Sequence, residues 1–282
     1  MKKKIFVLLS FLMILPVVVS ASENYVNYNG IEMSEEEYSN LLELGFDEEE
    51  IYYLSLEEFT NNKDLVGNLE ATTTRYFAHI VRYSATGQII SESDMEITED
   101  SYNNEVVMPR GDGYIETTYK QMRTTISKVN SLYRYKVSLT WKQMPSTRSY
   151  DIIGIGFEPI VSVDGNLVFS QNYCVSTSCT SSSARNNSYQ GLNGAGVSFK
   201  LPTSTSITTL SSYFYFNVRK YNSDDTITSM LAYGDYSHAT STISSGSATL
   251  YYVNQAGIML SDSIRSYYDT MPTADAYWTG TW

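Results

Sequence analysis

Between residues 133 and 141 apolar and polar side chains alternate: Tyr133, Tyr135, Val137, Leu139 and Trp141 are interleaved with Arg134, Lys136, Ser138 and Thr140. A period of two carried by β-branched and aromatic residues predicts a strand with one buried face and one solvent face. Pro145 and Ser146 break the pattern, and residues 150–157 are apolar enough to lie buried on both sides. Asp164-Gly165 then offers the positive φ that a tight hairpin uses. The core is expected to grow from these strands.

The same pattern continues on either side. Residues 76–83 read as a strand, Ala85-Thr86-Gly87 as a turn and residues 88–97 as a weaker strand. In residues 114–128 helical spacing (Tyr119, Met122, Ile126, Val129) competes with a threonine-rich run that prefers extended backbone. Strand is the reading adopted, because Asn130-Ser131 then turns it directly into the strand at 133. Further strands are expected at 197–201, 212–221, 226–232, 248–253, 258–260 and 274–282, with a short helix at 261–268. Strands so spaced, separated by Gly, Pro, Asn and Ser, predict a mainly β protein: an antiparallel β-sandwich of jelly-roll-like or Ig-like layers over residues 67–282.

Ahead of it, residues 33–59 carry helix signals. Ser34 with Glu37, Asp47 with Glu50, and Ser55 with Glu58 each place an oxygen at an N-cap and a carboxylate three residues on. Three short helices follow, with Gly45 placed to end the first. Their apolar face (Tyr38, Leu41, Leu42, Phe46, Ile51, Leu54, Phe59) is too small to be stable alone and must pack on the β body or another chain. Residues 22–66 are thus expected to be a small acidic α-helical segment, a possible pro-segment, joined through a polar linker at 61–74.

Charge sharpens this division. Between Glu32 and Asp64 twelve carboxylates face one cation, Lys63, whereas from Gly67 onward eighteen acidic residues meet fifteen basic ones. The net charge of −12 is therefore mostly local, and neither part suits a phosphate backbone, so nucleic acid is not an expected partner. At the start, Lys2, Lys3 and Lys4 precede about 15 apolar residues containing Pro16, short of the roughly 20 needed to span a bilayer. With Val19-Ser20-Ala21 behind them, residues 1–21 read as a secretory signal peptide and the protein as extracellular. In that compartment Cys174 and Cys179 are expected to form a disulfide, worth about 2 kcal/mol in the chain-entropy account.

Catalytic signals are thin. No G-x-S-x-G elbow, H-E-x-x-H, P-loop or G-x-G-x-x-G occurs. His79 reads as a satisfied sheet histidine and His238 as a structural or surface one; with only these two histidines a zinc site would have to assemble from distant places. Neither a metal nor a cofactor is expected. Glu96, Glu99, Asp100, Glu116, Asp151, Glu158 and Asp235 are all available for a carboxylate pair, and sequence spacing does not choose among them. Asp224 and Asp225 after Asn222, and Arg110-Gly111-Asp112, read as turn chemistry.

The stretch YSNLLELGFDEEEIYYLSLEEF resembles the short acidic helical segment soon after the signal peptide in uncharacterised secreted proteins of Gram-positive bacteria. The tract WKQMPSTRSYDIIGIGF resembles one in β-rich proteins of the same kind. The resemblance implies a secretion route and a lineage, and brings no catalytic residue. What remains is an aromatic excess, 25 tyrosines and 3 tryptophans, suited to meeting sugars, proteins or lipid headgroups. The functional expectation is a non-catalytic protein binding an extracellular surface (glycan, cell envelope or host protein) through Tyr173, Tyr189, Trp278 and Trp282 and the loop at 174–196. The alternatives are a membrane-active, pore-forming protein, although no spanning segment indicates one, and an envelope-directed hydrolase.

Overall fold

The structure is a computed structural model that describes residues 24–105, 114–142, 144–249, 251–269 and 271–282. The expected signal peptide and the Arg110-Gly111-Asp112 tripeptide lie outside the described residues. In chain order the elements are β1 (Tyr25–Val26), β2 (Glu32–Met33), α1 (Glu35–Glu43), α2 (Glu48–Tyr52), α3 (Leu56–Asn62), β3 (Gly67–Tyr83), β4 (Ile89–Ile97) and α4 (Glu99–Asn103). Then come β5 (Tyr114–Val129), β6 (Leu132–Trp141), β7 (Tyr150–Glu158), β8 (Val161–Val175), β9 (Ser178–Ser182), β10 (Asn187–Gln190), β11 (Gly194–Lys200) and β12 (Ile207–Lys220). The chain finishes with β13 (Ser229–Ser237), β14 (Tyr251–Asn254), β15 (Gly257–Leu260) and β16 (Ala274–Thr279). At the expected short helix only a 3₁₀ turn forms, Arg265–Tyr267.

Two antiparallel sheets face each other. One runs β4-β3-β5-β6-β12-β8-β9 and the other β10-β11-β7-β13-β16. Between them lie Tyr135, Val137, Leu139 and Trp141 of β6, Phe214 and Phe216 of β12, Ile153, Ile155 and Phe157 of β7, and Val197 and Phe199 of β11. The mainly β, antiparallel sandwich is as the alternation predicts. Asn130 adopts φ 54° at the β5–β6 turn, and Gly87 φ 80° at the β3–β4 turn.

Three expectations need correction. The polar face of β6 is not wet: Arg134, Lys136 and Ser138 are buried beneath α1–α3. Phe46 packs its ring edge-on against Tyr213 and Tyr215 of β12, 5.8 Å from each centroid. Secondly, no linker of the expected length separates helices from sheet. Helix α3 ends at Asn62 and β3 begins at Gly67, whose N–H donates to Asn40 Oδ1 at 2.9 Å. Thirdly, Asp164-Gly165 makes no hairpin. Gly165, at φ 78°, sits inside β8, where the pairing with β12 slips between Tyr215 and Asn217; the positive φ is used for a bulge.

The caps behave as the sequence predicts. Ser34 with Glu37 and Asp47 with Glu50 form capping boxes, and Ser55 accepts from Glu58 N. Gly45 follows α1 at φ 90°, and a Cβ there would lie 2.6 Å from Thr125 Oγ1, so glycine serves both the turn and the approach of the helix end to β5. On the far side, the β14–β15 hairpin rests on the five-stranded sheet. A Cβ on Gly156 would meet Asn254 O at 1.8 Å, so the missing side chain is what lets the hairpin lie so close. The molecule is thus four layers: helices, sheet, sheet, hairpin.

Candidate functional site

The junction of the helical layer with the edge of the larger sheet opens into a groove of about 840 Å³. One wall is α3, contributing Glu57, Glu58 and Asn61; the other is the β8 bulge with Asn166, together with Ser181 to Ser183 and Arg185. The bulge creates the second wall, because the unpaired residues 165–167 swing away from β12. Arg134, Tyr215 and Asn217 form the floor.

The floor is rigid. Arg134 Nε donates to Asn217 Oδ1 at 3.0 Å and Nη1 to Asn62 Oδ1 at 2.8 Å, while its guanidinium lies 4.4 Å from the Tyr215 ring centroid. Asn62 Nδ2 donates in turn to the Tyr215 hydroxyl at 3.2 Å. Tyr213 donates to Glu58 Oε2, and burial raises the Glu58 carboxyl to about 7 despite that bond. Burial also lowers the Arg134 pKa. Asn61, Asn166, Ser181, Ser183 and Arg185 remain exposed at the rim. The groove therefore offers amides, hydroxyls and both signs of charge.

The four aromatic residues expected to bind do not converge here. Trp278 is buried on β16, donates from Nε1 to Glu70 Oε2 at 3.1 Å and, with Trp282, packs on Tyr133. Tyr173 packs, half-buried, on the core from β8, and Tyr189 of β10 lies 6.5 Å from Tyr251. Cys174 and Cys179 form the expected disulfide, pinning the β8–β9 turn. The loop at 174–196 does reach the groove, through Ser181 to Ser183 and Arg185.

Of the candidate carboxylates, Glu96 pairs with Arg75 at 3.5 Å and Glu99 and Asp100 lie in the first turn of α4. Glu158 ends β7, and the Glu116 side chain is outside the described residues. Asp235 is buried, accepts from the N–H of Ile258 and Tyr236 at 2.7 Å each, and is raised by burial to about 6. Asp224 and Asp225 take part in hydrogen bonds within their own turn.

The histidines are buried, His79 within its sheet as expected and His238 as a structural residue rather than a surface one, and the expected distance between them needs correction: their rings lie 5.3 Å apart, edge to face. Asp151 holds His238, 2.9 Å from its Nδ1, and accepts from the Tyr236 hydroxyl. Residues 159 positions apart in sequence give no spacing signal. The β3–β4 hairpin does give one, since its turn sets His79 opposite Asp94 and puts Glu92 and Asp94 on the inward face.

Among the described residues no helix is long and apolar enough to cross a membrane. No family model matches the chain, and no curated protein matches it. One similar solved structure is described as the complete structure of manganese lipoxygenase of Gaeumannomyces graminis and partial structure of zonadhesin of Komagataella pastoris. It shares 7% identity over 77% of this chain and 89% of that chain, with a TM-score of 0.27, a likeness too slight to carry fold or activity across.

Proposed function

We propose that this is a secreted, non-catalytic protein that binds a neutral, hydroxyl-rich extracellular ligand, a glycan of a cell envelope or host surface, in the groove between α3 and the β8 bulge. One observation carries the reading: a concavity of about 840 Å³ whose rim is set with exposed amides and hydroxyls over a floor held by the hydrogen bonds of Arg134, Asn62 and Tyr215. Amides and carboxylates give a sugar both donors and acceptors, and a floor already fixed by its own hydrogen bonds loses little freedom on binding. Retention on a glycan array, with loss of binding in Asn61→Ala and Asn166→Ala, is the expected result. Equal retention of both variants, or none by the parent chain, would remove the reading.

A hydrolase is the second reading, favoured by Glu58. A carboxyl raised to about 7 beside a groove has the protonation of a general acid. It ranks below binding because Glu58 Oε1 is buried and Oε2 already accepts from Tyr213. Loss of turnover of a bound glycan in Glu58→Gln, with binding retained, would reverse that order. A membrane-active role draws less support, since the sheet face that the helices cover carries Arg134, Lys136, Ser138 and Ser211 and would present a bilayer with charge.

A further inference from the structure

The inner face of the sandwich, at the end of the β3–β4 hairpin, holds a cluster that the groove does not use. His79 comes from β3, Glu92 and Asp94 from β4, Lys120 from β5, Asp151 from β7, and His238 follows β13. All of these side chains are 0–1% exposed. His79 Nδ1 lies 3.2 Å from Asp94 Oδ1 and His238 Nδ1 lies 2.9 Å from Asp151 Oδ2. A carboxylate on each Nδ1 fixes the proton there, and leaves a bare lone pair on each Nε2.

Those two lone pairs face one carboxylate oxygen. Glu92 Oε2 is 3.6 Å from His79 Nε2 and 3.9 Å from His238 Nε2. All three atoms are buried, and none has a hydrogen-bond partner among the described residues. In these neutral tautomers three acceptors meet, and among the described residues no other donor lies between them. The separations are too long for hydrogen bonds. They are close to the roughly 3.3–3.5 Å between neighbouring ligands of a tetrahedral ion with bonds of about 2.0–2.2 Å.

The charges agree with this. Four buried carboxyl groups (Glu92, Asp94, Asp151, Asp269) lie in the cluster, and the one ammonium there among the described residues, that of Lys120, reaches only Asp94 and Asp269. Lys120 Nζ is committed at 2.7 Å to Asp94 and 3.2 Å to Asp269, so the neighbouring set of His79 Nδ1, Asp94 and Asp269 already holds its cation. Among the described residues no cationic side chain reaches the Nε2 side. Trp141 closes it, with its ring 5.4 and 5.2 Å from the two imidazoles, and Thr147 Oγ1 donates to Glu92 Oε1 at 3.0 Å, aiming the other oxygen at the histidines.

We propose that His79 Nε2, His238 Nε2 and Glu92 Oε2, with a water as fourth ligand, bind one divalent transition-metal ion, with Zn²⁺ the best match to two imidazoles and a carboxylate, and that the ion ties β3 and β4 of one sheet to the end of β13 in the other. Asp94 and Asp151 are its outer partners, orienting the imidazoles. A site closed to solvent between two sheets takes up its ion on folding and serves assembly, which makes it independent of the groove's ligand.

The test is metal content of the purified protein after refolding with Zn²⁺ or with Co²⁺, read by elemental analysis and by the visible absorption of Co²⁺. One equivalent per chain with the intense spectrum of tetrahedral Co²⁺ is expected. Glu92→Gln and His79→Gln should each abolish the spectrum, and Asp151→Asn should weaken binding about 10–100-fold. A folded parent chain that retains neither ion overturns the proposal, as does a spectrum unchanged in Glu92→Gln. If the variants fail to fold, the parent's own spectrum decides: the weak absorption of surface-bound octahedral Co²⁺ also overturns it.

Discussion

The larger sheet buries charge on both of its faces, and the two faces handle it differently. On the outer face, Lys136 Nζ meets Glu50 Oε2 at 2.6 Å and Ser138 Oγ at 2.7 Å, and Glu50 closes its own helix cap through Asp47 N at 2.8 Å. Within this pair one cation meets one anion, and the hydrogen-bonding atoms of both are engaged. On the inner face, His79, His238 and Glu92 direct unpaired atoms at one another. A buried ion pair complete in itself locks two layers in register; a buried set short of a cation is complete only with a ligand. Burial alone does not distinguish them, and the inventory of donors and acceptors does.

The sharpest way to break the outer set is to remove one partner. Lys136→Met should cost about 3–5 kcal/mol in urea unfolding, because Glu50 is left buried without its cation, while the double change with Glu50→Leu should recover most of that loss. If the double variant is no more stable than the single, the pair is not the unit described here. At the inner face, chelation during refolding should lower the stability of the parent chain by about 2–3 kcal/mol relative to refolding with Zn²⁺ at a hundredfold excess over Kd. Lys136→Met should respond to chelation as the parent does, since its cluster holds no ion.

A smaller effect follows from Glu58. Burial raises its carboxyl from 4.5 to about 7 in the folded protein, so between these values the folded state holds a proton that the unfolded chain has released. Stability from this group is therefore greatest at acid pH and declines as pH rises through about 7. Glu58→Gln should remove that slope, gaining on the order of 1–2 kcal/mol over the parent at pH 8 and little at pH 5, once solvent screening is allowed for. A constant difference at all pH values would show that Glu58 does not titrate in this range. Smallest of all, Ser34→Ala should cost about 1 kcal/mol through loss of the cap on α1, read as a shift in urea midpoint.

How much of this was legible follows from the same comparison. Alternation located β6, a continuous apolar run located β7 as a strand buried on both faces, and the S-x-x-E and D-x-x-E spacings located the helices, because these patterns are local. Alternation also placed Arg134 and Lys136 in solvent, and there it failed: a polar residue every second position marks a face outside the apolar core, whether water or an acidic helix covers it. The complementary signal was present in Arg123, Arg134 and Lys136 on neighbouring strands against the twelve carboxylates of residues 32–64. The histidine cluster was half legible, since the Ala85-Thr86-Gly87 turn sets Glu92 and Asp94 beside His79. The other half, His238 and Asp151, depends on which edge of the second sheet lies over β3, and no local pattern carries that.

The helical layer also orders events in time. Glu58 finds its hydroxyl on Tyr213, 155 residues further along the chain, and the part of the wall under Phe46 that Tyr213 and Tyr215 supply is missing until β12 is in place. A ribosome delivers the helices long before that wall exists, and short helices do not persist alone. The segment synthesised early can therefore complete its packing only after β12 has joined the sheet.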